Sequence, residues 1–197
     1  MKLVLASQNP GKLKELKILL GHLPIELALA PKDFDPEETG DTYLANAEIK
    51  AREAARMTGE LSVSDDSGIE VEALGWGPGV RSARYCEGSD LDRRQKMLLE
   101  MENVPDEKRN ARYVCALVLA DKDKVIYSTE AYWQGKLIRE ELGEHGFGYD
   151  PIFMPNDCTM TSAQITPEEK NQKSHRAKAF NELAQFLSSK YKSESRI

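Results

Sequence analysis

Lys2-Leu3-Val4-Leu5-Ala6-Ser7-Gln8-Asn9-Pro10-Gly11-Lys12-Leu13 is the stretch that decides the fold. Residues 2–6 form a near-continuous apolar run, as in a short strand buried on both faces. Residues 7–11 are dense in turn formers. From about Lys12 to Leu20, Leu13, Leu16 and Leu20 fall on one helical face, and Gly21 supplies a stop. A second short strand is expected over 26–30. Strand, loop, helix and strand in that order open an α/β protein.

Reading outward, an acidic stretch follows (Asp33, Asp35, Glu37, Glu38, Asp41) with no base among its residues. It leads into a helix over about 42–58 whose apolar face is alanine (Ala47, Ala51, Ala54, Ala55), a surface suited to close packing on a sheet. Residues 61–64 read as a strand ending in Asp65-Asp66-Ser67-Gly68, which has the composition of a turn, with another strand over 69–74. Asp90 is placed to cap a helix through about Asn103. Residues 111–120 and 124–133 read as a hairpin around Asp121-Lys122-Asp123. Thr166-Pro167-Glu168-Glu169 has capping-box spacing with proline at the first helical position. A last helix over about 177–191 puts Phe180, Leu183, Ala184 and Leu187 on one face. No repeat, low-complexity tract or linker divides the sequence, so residues 1–197 read as one domain.

Composition excludes several function classes. Lys and Arg number 27 against 33 Asp and Glu, a formal charge of −6, whereas proteins that hold a nucleic-acid backbone carry a basic excess. Hydrophobic residues, at 40%, suffice for a core. No apolar run approaches the ~18–20 residues of a membrane span, and the N-terminal run is too short for a signal peptide. Cys86, Cys115 and Cys158 fit neither a disulfide framework nor a CxxC metal site. The expected setting is reducing cytoplasm. His22 and His145 have no second histidine at ligand spacing, which argues against zinc.

Four loops can carry chemistry. Ser7-Gln8-Asn9-Pro10-Gly11-Lys12 precedes a helix N-terminus, where free N–H groups, a hydroxyl, an amide and a lysine suit phosphate, although the Walker pattern is absent. The alternative is an ordinary turn with an exposed lysine. Glu38, Asp65 and Asp66 are hard oxygen donors of the kind that hold Mg²⁺ together with substrate phosphates. Adjacent aspartates on a strand point to opposite faces, so Asp65 and Asp66 should do different work. In Gly146-Phe147-Gly148-Tyr149-Asp150-Pro151, glycines flank an aromatic ring on which a flat base could stack; the alternative is a turn with a core phenylalanine. Ser174-His175-Arg176 stands just before the last helix, with Lys170 and Lys173 upstream. Residues 168–197 hold seven Lys/Arg against four Asp/Glu, a local excess of base in an acidic chain. Gly75-Trp76-Gly77-Pro78-Gly79 lacks the GxGxxG spacing of a dinucleotide loop.

Taken together, these motifs resemble the inosine triphosphate pyrophosphatase family. The resemblance rests on Ser7, Asn9 and Lys12; Glu38-Thr39-Gly40; Asn46-Ala47 and Lys50-Ala51; Asp65-Asp66-Ser67-Gly68; Pro78-Gly79 with Ser82-Ala83-Arg84-Tyr85; Phe147-Gly148-Tyr149-Asp150-Pro151; Glu169-Lys170; and Ser174-His175-Arg176. They run in this order along nearly the whole chain. Arg81 departs from the pattern, which has an aromatic there, and bears on packing or a subunit contact.

The resemblance implies an elongated mixed β-sheet flanked by helices, two lobes with a nucleotide cleft between them, and a homodimer, with a dimer of dimers left open. It implies hydrolysis of ITP, dITP and XTP to the nucleoside monophosphate and pyrophosphate. Ser7, Gln8, Asn9, Pro10, Gly11, Lys12, Lys50 and Ser67 would bind substrate, with Lys170 adding positive charge. Mg²⁺ would be held by Glu38 and Asp66. Asp66 would be the general base, with Asp65 either behind it or helping to hold the metal. Phe147, Gly148, Tyr149 and Asp150 would bind the base, with Phe147 stacking on the purine; His175 and Arg176 would donate toward the 6-keto oxygen, while Asp150 or its backbone reads the neighbouring edge. Two other readings are a septum-formation-inhibitor-like nucleotide pyrophosphatase and a non-catalytic purine nucleotide sensor. The Ser-His-Arg and Phe-Gly-Tyr-Asp motifs argue against the first, Glu38 and Asp66 against the second.

Overall fold

Three of the four residues of β1 (Lys2–Leu5) are buried, because the strand has a parallel neighbour on each side. One is β2 (Glu26–Leu29), in the register Lys2 to Glu26; the other is β3 (Leu61–Val71), in the register Leu3 to Leu61. The remaining strands are β4 (Gly77–Pro78), β5 (Asn110–Ala120), β6 (Val125–Leu137) and β7 (Phe153–Pro155). They form a seven-stranded mixed sheet in the order β2-β1-β3-β5-β6-β7, with β4 antiparallel on β3 and β7 antiparallel on β6. The structure, a computed structural model, describes residues 1–194. No helix among them is long and apolar enough to cross a membrane.

The helices are α1 (Pro10–Leu20), α2 (Tyr43–Thr58), α3 (Asp90–Glu100), α4 (Pro167–Lys173) and α5 (His175–Glu194). The alanine face of α2 behaves as its small side chains dictate. Ala47 and Ala51 pack with Val118 and Ala120 of β5, and Ala54 packs with Val4 and Ala6. Thr42 caps the helix start, and Gly59, at φ +72°, ends it in the left-handed conformation that costs glycine least.

The chain divides into two compact units. The first holds Met1–Asp66, Cys115–Ala131 and the residues from Lys178 onward. Its core joins Leu3, Leu5, Leu16 and Leu20 to Leu117, Phe180, Leu183 and Leu187. The second unit holds Ser67–Val114 and Tyr132–Ala177, with a core of Ile69, Met97, Met101, Tyr113, Trp133, Ile152 and Phe153.

Three local expectations are corrected. Asp65-Asp66-Ser67-Gly68 is not a turn; β3 runs through it without interruption. Both carboxylates find lysine partners far away in sequence, so the extended backbone does not leave a buried charge bare. The α3 cap is Ser89, whose hydroxyl accepts from the Asp92 N–H while the Asp92 carboxylate accepts from the Ser89 N–H; the helix stops at Glu100. Asp90 is thereby released for other contacts. Finally, α5 begins at His175, because the Ser174 hydroxyl accepts from the Ala177 N–H. His175 and Arg176 are therefore first-turn residues of a helix, not loop residues.

Candidate active site

In the first unit, two lysines organise the acidic residues. Lys12, on the first turn of α1, donates to both oxygens of Asp65 at 3.0 Å. Lys50, on α2, bridges Glu38 at 2.8 Å and Asp66 at 3.1 Å. The neighbouring aspartates of β3 thus take different lysines, as strand alternation requires. Asn46 lies one turn before Lys50 on the same face of α2. Fully buried, it accepts from the Gly40 N–H at 2.8 Å and donates to Asp66 Oδ2 at 3.3 Å. One amide therefore fixes both the acidic loop and the Asp66 carboxylate. The loop passes so close that a Cβ on Gly40 would lie 2.8 Å from Asn46 Oδ1.

Burial raises the Asp66 carboxyl above the usual aspartate range, against the opposing charge and hydrogen bond of Lys50. For Lys50, burial opposes the charge, but Asp66 and Glu38 prevail and its pKa is raised. The result is a fixed ammonium between two carboxylates, one of which is partly primed to take a proton. Glu38 and Asp66 are hard oxygen donors converging on one cation, and one or two such carboxylates with substrate phosphates match what Mg²⁺ needs. Their chemistry fits a divalent cation.

The loop from Ser7 to Lys12 is largely satisfied from within. Asn9 Oδ1 accepts from the Gly11 N–H at 2.8 Å and from that of Lys12, and Ser7 Oγ accepts from the Asn9 N–H. Pro10 occupies the first helical position, where no N–H is missed. Gln8 Nε2 donates to the carbonyls of Pro31, Lys32 and Phe34, tying this loop to the one after β2. The atoms placed to meet an anion are thus the Lys12 ammonium, the Ser7 hydroxyl and the Asn9 amide.

In the second unit, Phe147 is 61% exposed despite being aromatic. Lys170 Nζ lies 4.9 Å from its ring centroid and the Arg176 guanidinium 5.8 Å. Arg176 also reaches the Ser67 hydroxyl at 3.4 Å. Asp150 is the buried hub beneath this ring, only 1% exposed. Oδ1 accepts from Tyr113 at 3.2 Å and Ser162 at 2.9 Å; Oδ2 accepts from the Phe147 N–H at 2.9 Å and from Lys170. Four donors match the lone-pair sites of a carboxylate. The Asp150 side chain is therefore committed to holding its neighbours. Lys170, expected to add charge for phosphate, belongs to this aromatic group.

The backbone next to the exposed Phe147 is held by α3. Asp90 accepts from the Gly148 N–H at 2.8 Å, and Arg94 donates to the Gly148 carbonyl at 2.9 Å. Tyr149 donates its hydroxyl to the Ser82 carbonyl at 2.8 Å. The expected residues thus fall into two sets: Ser7, Gln8, Asn9, Pro10, Gly11, Lys12, Glu38, Lys50, Asp65 and Asp66 in the first unit, and Ser67, Phe147, Gly148, Tyr149, Asp150, Lys170, His175 and Arg176 in the second. Sequence reading missed Tyr113, Ser162, Asp90 and Arg94 as site residues. Only Asp90 carried a signal, its place at a helix start.

An α/β protein with a mixed sheet, a lysine-bridged acid pair and an exposed aromatic flanked by cations is the class that fold and site define. The chain belongs to the Ham1 family, whose family model matches residues 3–186. It is 45% identical over 191 residues to the dITP/XTP pyrophosphatase of Pseudomonas aeruginosa, covering 94% of this chain and 96% of that one. The solved structure of a HAM1 protein from Coxiella burnetii is 39% identical, with a TM-score of 0.89 over 96% of this chain and 99% of the other. That of a nucleoside-triphosphatase / dITP/XTP pyrophosphatase from Mycobacterium abscessus is 41% identical, with a TM-score of 0.77 over 93% and 98%.

Proposed function

We propose that this protein hydrolyses non-standard purine nucleoside triphosphates (ITP, dITP and XTP) to the monophosphate and pyrophosphate, removing deaminated purines from the nucleotide pool. The observation that carries the reading is the Glu38–Lys50–Asp66 cluster, set in a chain of the Ham1 family. The Pseudomonas and Mycobacterium relatives bear the name dITP/XTP pyrophosphatase.

The reaction adds water across the α–β phosphoanhydride. Its transition state asks mainly for positioning and charge stabilisation. Lys12, Ser7 and Asn9 hold phosphate oxygens, and Lys50 adds a fixed positive charge. Asp66 takes the proton from the attacking water, and its raised pKa suits that task. Glu38 and Asp66 would hold Mg²⁺, which would supply charge neutralisation for the phosphate oxygens.

At the purine end, Phe147 offers its exposed face for stacking. His175 and Arg176 donate toward a 6-keto oxygen. Adenine presents an amino group there and would leave buried donors unpaired, a mismatch that can cost about 10⁴-fold or more in discrimination. We further propose a cytoplasmic homodimer, which would sediment at twice the chain mass of 22.1 kDa.

A product assay with ITP, XTP, dITP, GTP and ATP in the presence of Mg²⁺ tests the proposal. Pyrophosphate release from ITP and XTP, with little from ATP, is expected. Orthophosphate release would overturn the cleavage position, and equal rates on ATP and ITP would overturn the base selection.

A further inference from the structure

We propose that Tyr113 is a positioning residue for base recognition, one side chain that sets the His175 ring plane and anchors the Asp150 carboxylate together. The inference rests on the function proposed above. The Tyr113 ring lies parallel to the His175 imidazole, with centroids 4.7 Å apart and planes inclined by 7°. Its hydroxyl donates to Asp150 Oδ1 at 3.2 Å. From behind, Phe153 meets the same ring edge-on at 4.7 Å and 71°, and Trp133 meets Phe153 at 5.7 Å. Phe153 and Trp133 are buried to within about 1%, so the column is rooted in the core of the second unit.

The physical consequence follows from hydrogen-bond direction. An imidazole N–H lies in the ring plane, and a donor loses most of its strength when misaligned. A flat ring stacked against it fixes that plane. A stack alone would let the tyrosine ring shift along with the imidazole; the hydroxyl bond to Asp150 pins the tyrosine ring, so the plane it offers His175 is fixed. Asp150 in turn receives Lys170 and the Phe147 N–H, so the donor plane, the stacking ring and one cation share a reference point. Burial and the Asp150 charge raise the Tyr113 pKa well above its ordinary value, so the phenol remains a donor throughout the working pH range. In the sequence, Tyr113 is only one residue of an apolar strand; only the fold brings it under His175.

Tyr113→Phe removes the hydroxyl and keeps the stack, whereas Tyr113→Leu removes both. Steady-state pyrophosphate release is measured for ITP and ATP with wild type and both variants, with circular dichroism to verify folding. Wild type is measured first: no preference for ITP over ATP there would overturn the function proposed above rather than the role of Tyr113. With that preference in hand, Tyr113→Phe is expected to raise KM for ITP about 3–10-fold, the worth of one hydrogen bond, with kcat within about twofold of wild type. Tyr113→Leu is expected to lower the ITP-to-ATP ratio of kcat/KM further. A merely structural residue would lower kcat for both nucleotides alike and leave the ratio unchanged; that result overturns the proposal, as does an unchanged KM in Tyr113→Phe. If the leucine variant does not fold, the phenylalanine variant decides alone.

Discussion

Asp66 shows how one carboxylate can be kept both ionisable and reactive. Burial raises its pKa, while Lys50 and Asn46 hold the ionised form by hydrogen bonds. A water-activating base works when ionised, so activity should fall as pH drops through this raised pKa. The acid limb of kcat/KM, which reports the free enzyme, should therefore lie above the ordinary aspartate value of about 3.9. Asp66→Asn should reduce kcat about 10²–10⁴-fold at saturating nucleotide and Mg²⁺, measured by pyrophosphate release. Retention of most activity would move the base to Asp65. Lys12 makes a different prediction, because its partner Asp65 has a side chain only 1% exposed. Lys12→Met takes one ammonium from a buried carboxylate and should lower folding stability by about 1–2 kcal/mol in addition to weakening phosphate binding. Urea unfolding without nucleotide separates the two effects; an unchanged midpoint would show that Asp65 does not depend on Lys12.

At the level of elements, the loop from Gly146 to Asp150 is held by α3 and by its own glycines. A Cβ on Gly146, at φ +79°, would lie 2.0 Å from Asp150 Oδ2. A Cβ on Gly148, at φ +60°, would meet nothing within 4 Å. Gly148→Ala should therefore cost only the backbone term, about 1–2 kcal/mol, whereas Gly146→Ala should cost more and raise KM for ITP. Thermal melts and ITP kinetics compare the two, and equal losses would mean that the Asp150 contact does not govern the loop. Asp90 adds a pH dependence. Its hydrogen bond to Arg93, with the Gly148 N–H, holds its pKa below the usual value. A depressed carboxylate stabilises the fold above its unfolded pKa and loses that contribution as pH falls through the folded one. The melting-temperature difference between wild type and Asp90→Ala should thus be present at pH 7 and shrink below about pH 3.9. The elements differ in how plainly the sequence announces them. Ala47, Ala51, Ala54 and Ala55 declare the α2 face, because helical periodicity is local. The continuity of β3 is hidden, because Asp65-Asp66-Ser67-Gly68 reads as a turn until Lys12 and Lys50 arrive from distant positions. Lys170 and Asp150 were legible as chemical residues, but their pairing depends on a fold that no spacing rule encodes.

For the molecule as a whole, the charge of −6 and the local arrangement of lysines belong together. Lys12 and Lys50 are cations whose charge is already balanced by carboxylates. Anion binding here is thus an exchange in the manner of an ion-exchange resin. An incoming phosphate must displace a carboxylate from its lysine, and the displaced carboxylate then needs a cation of its own. A nucleotide that carries a divalent ion brings both halves of that exchange, whereas a DNA strand or free orthophosphate brings only one. The molecule should therefore be selective for metal-complexed triphosphates against bulk polyanions without any steric gate.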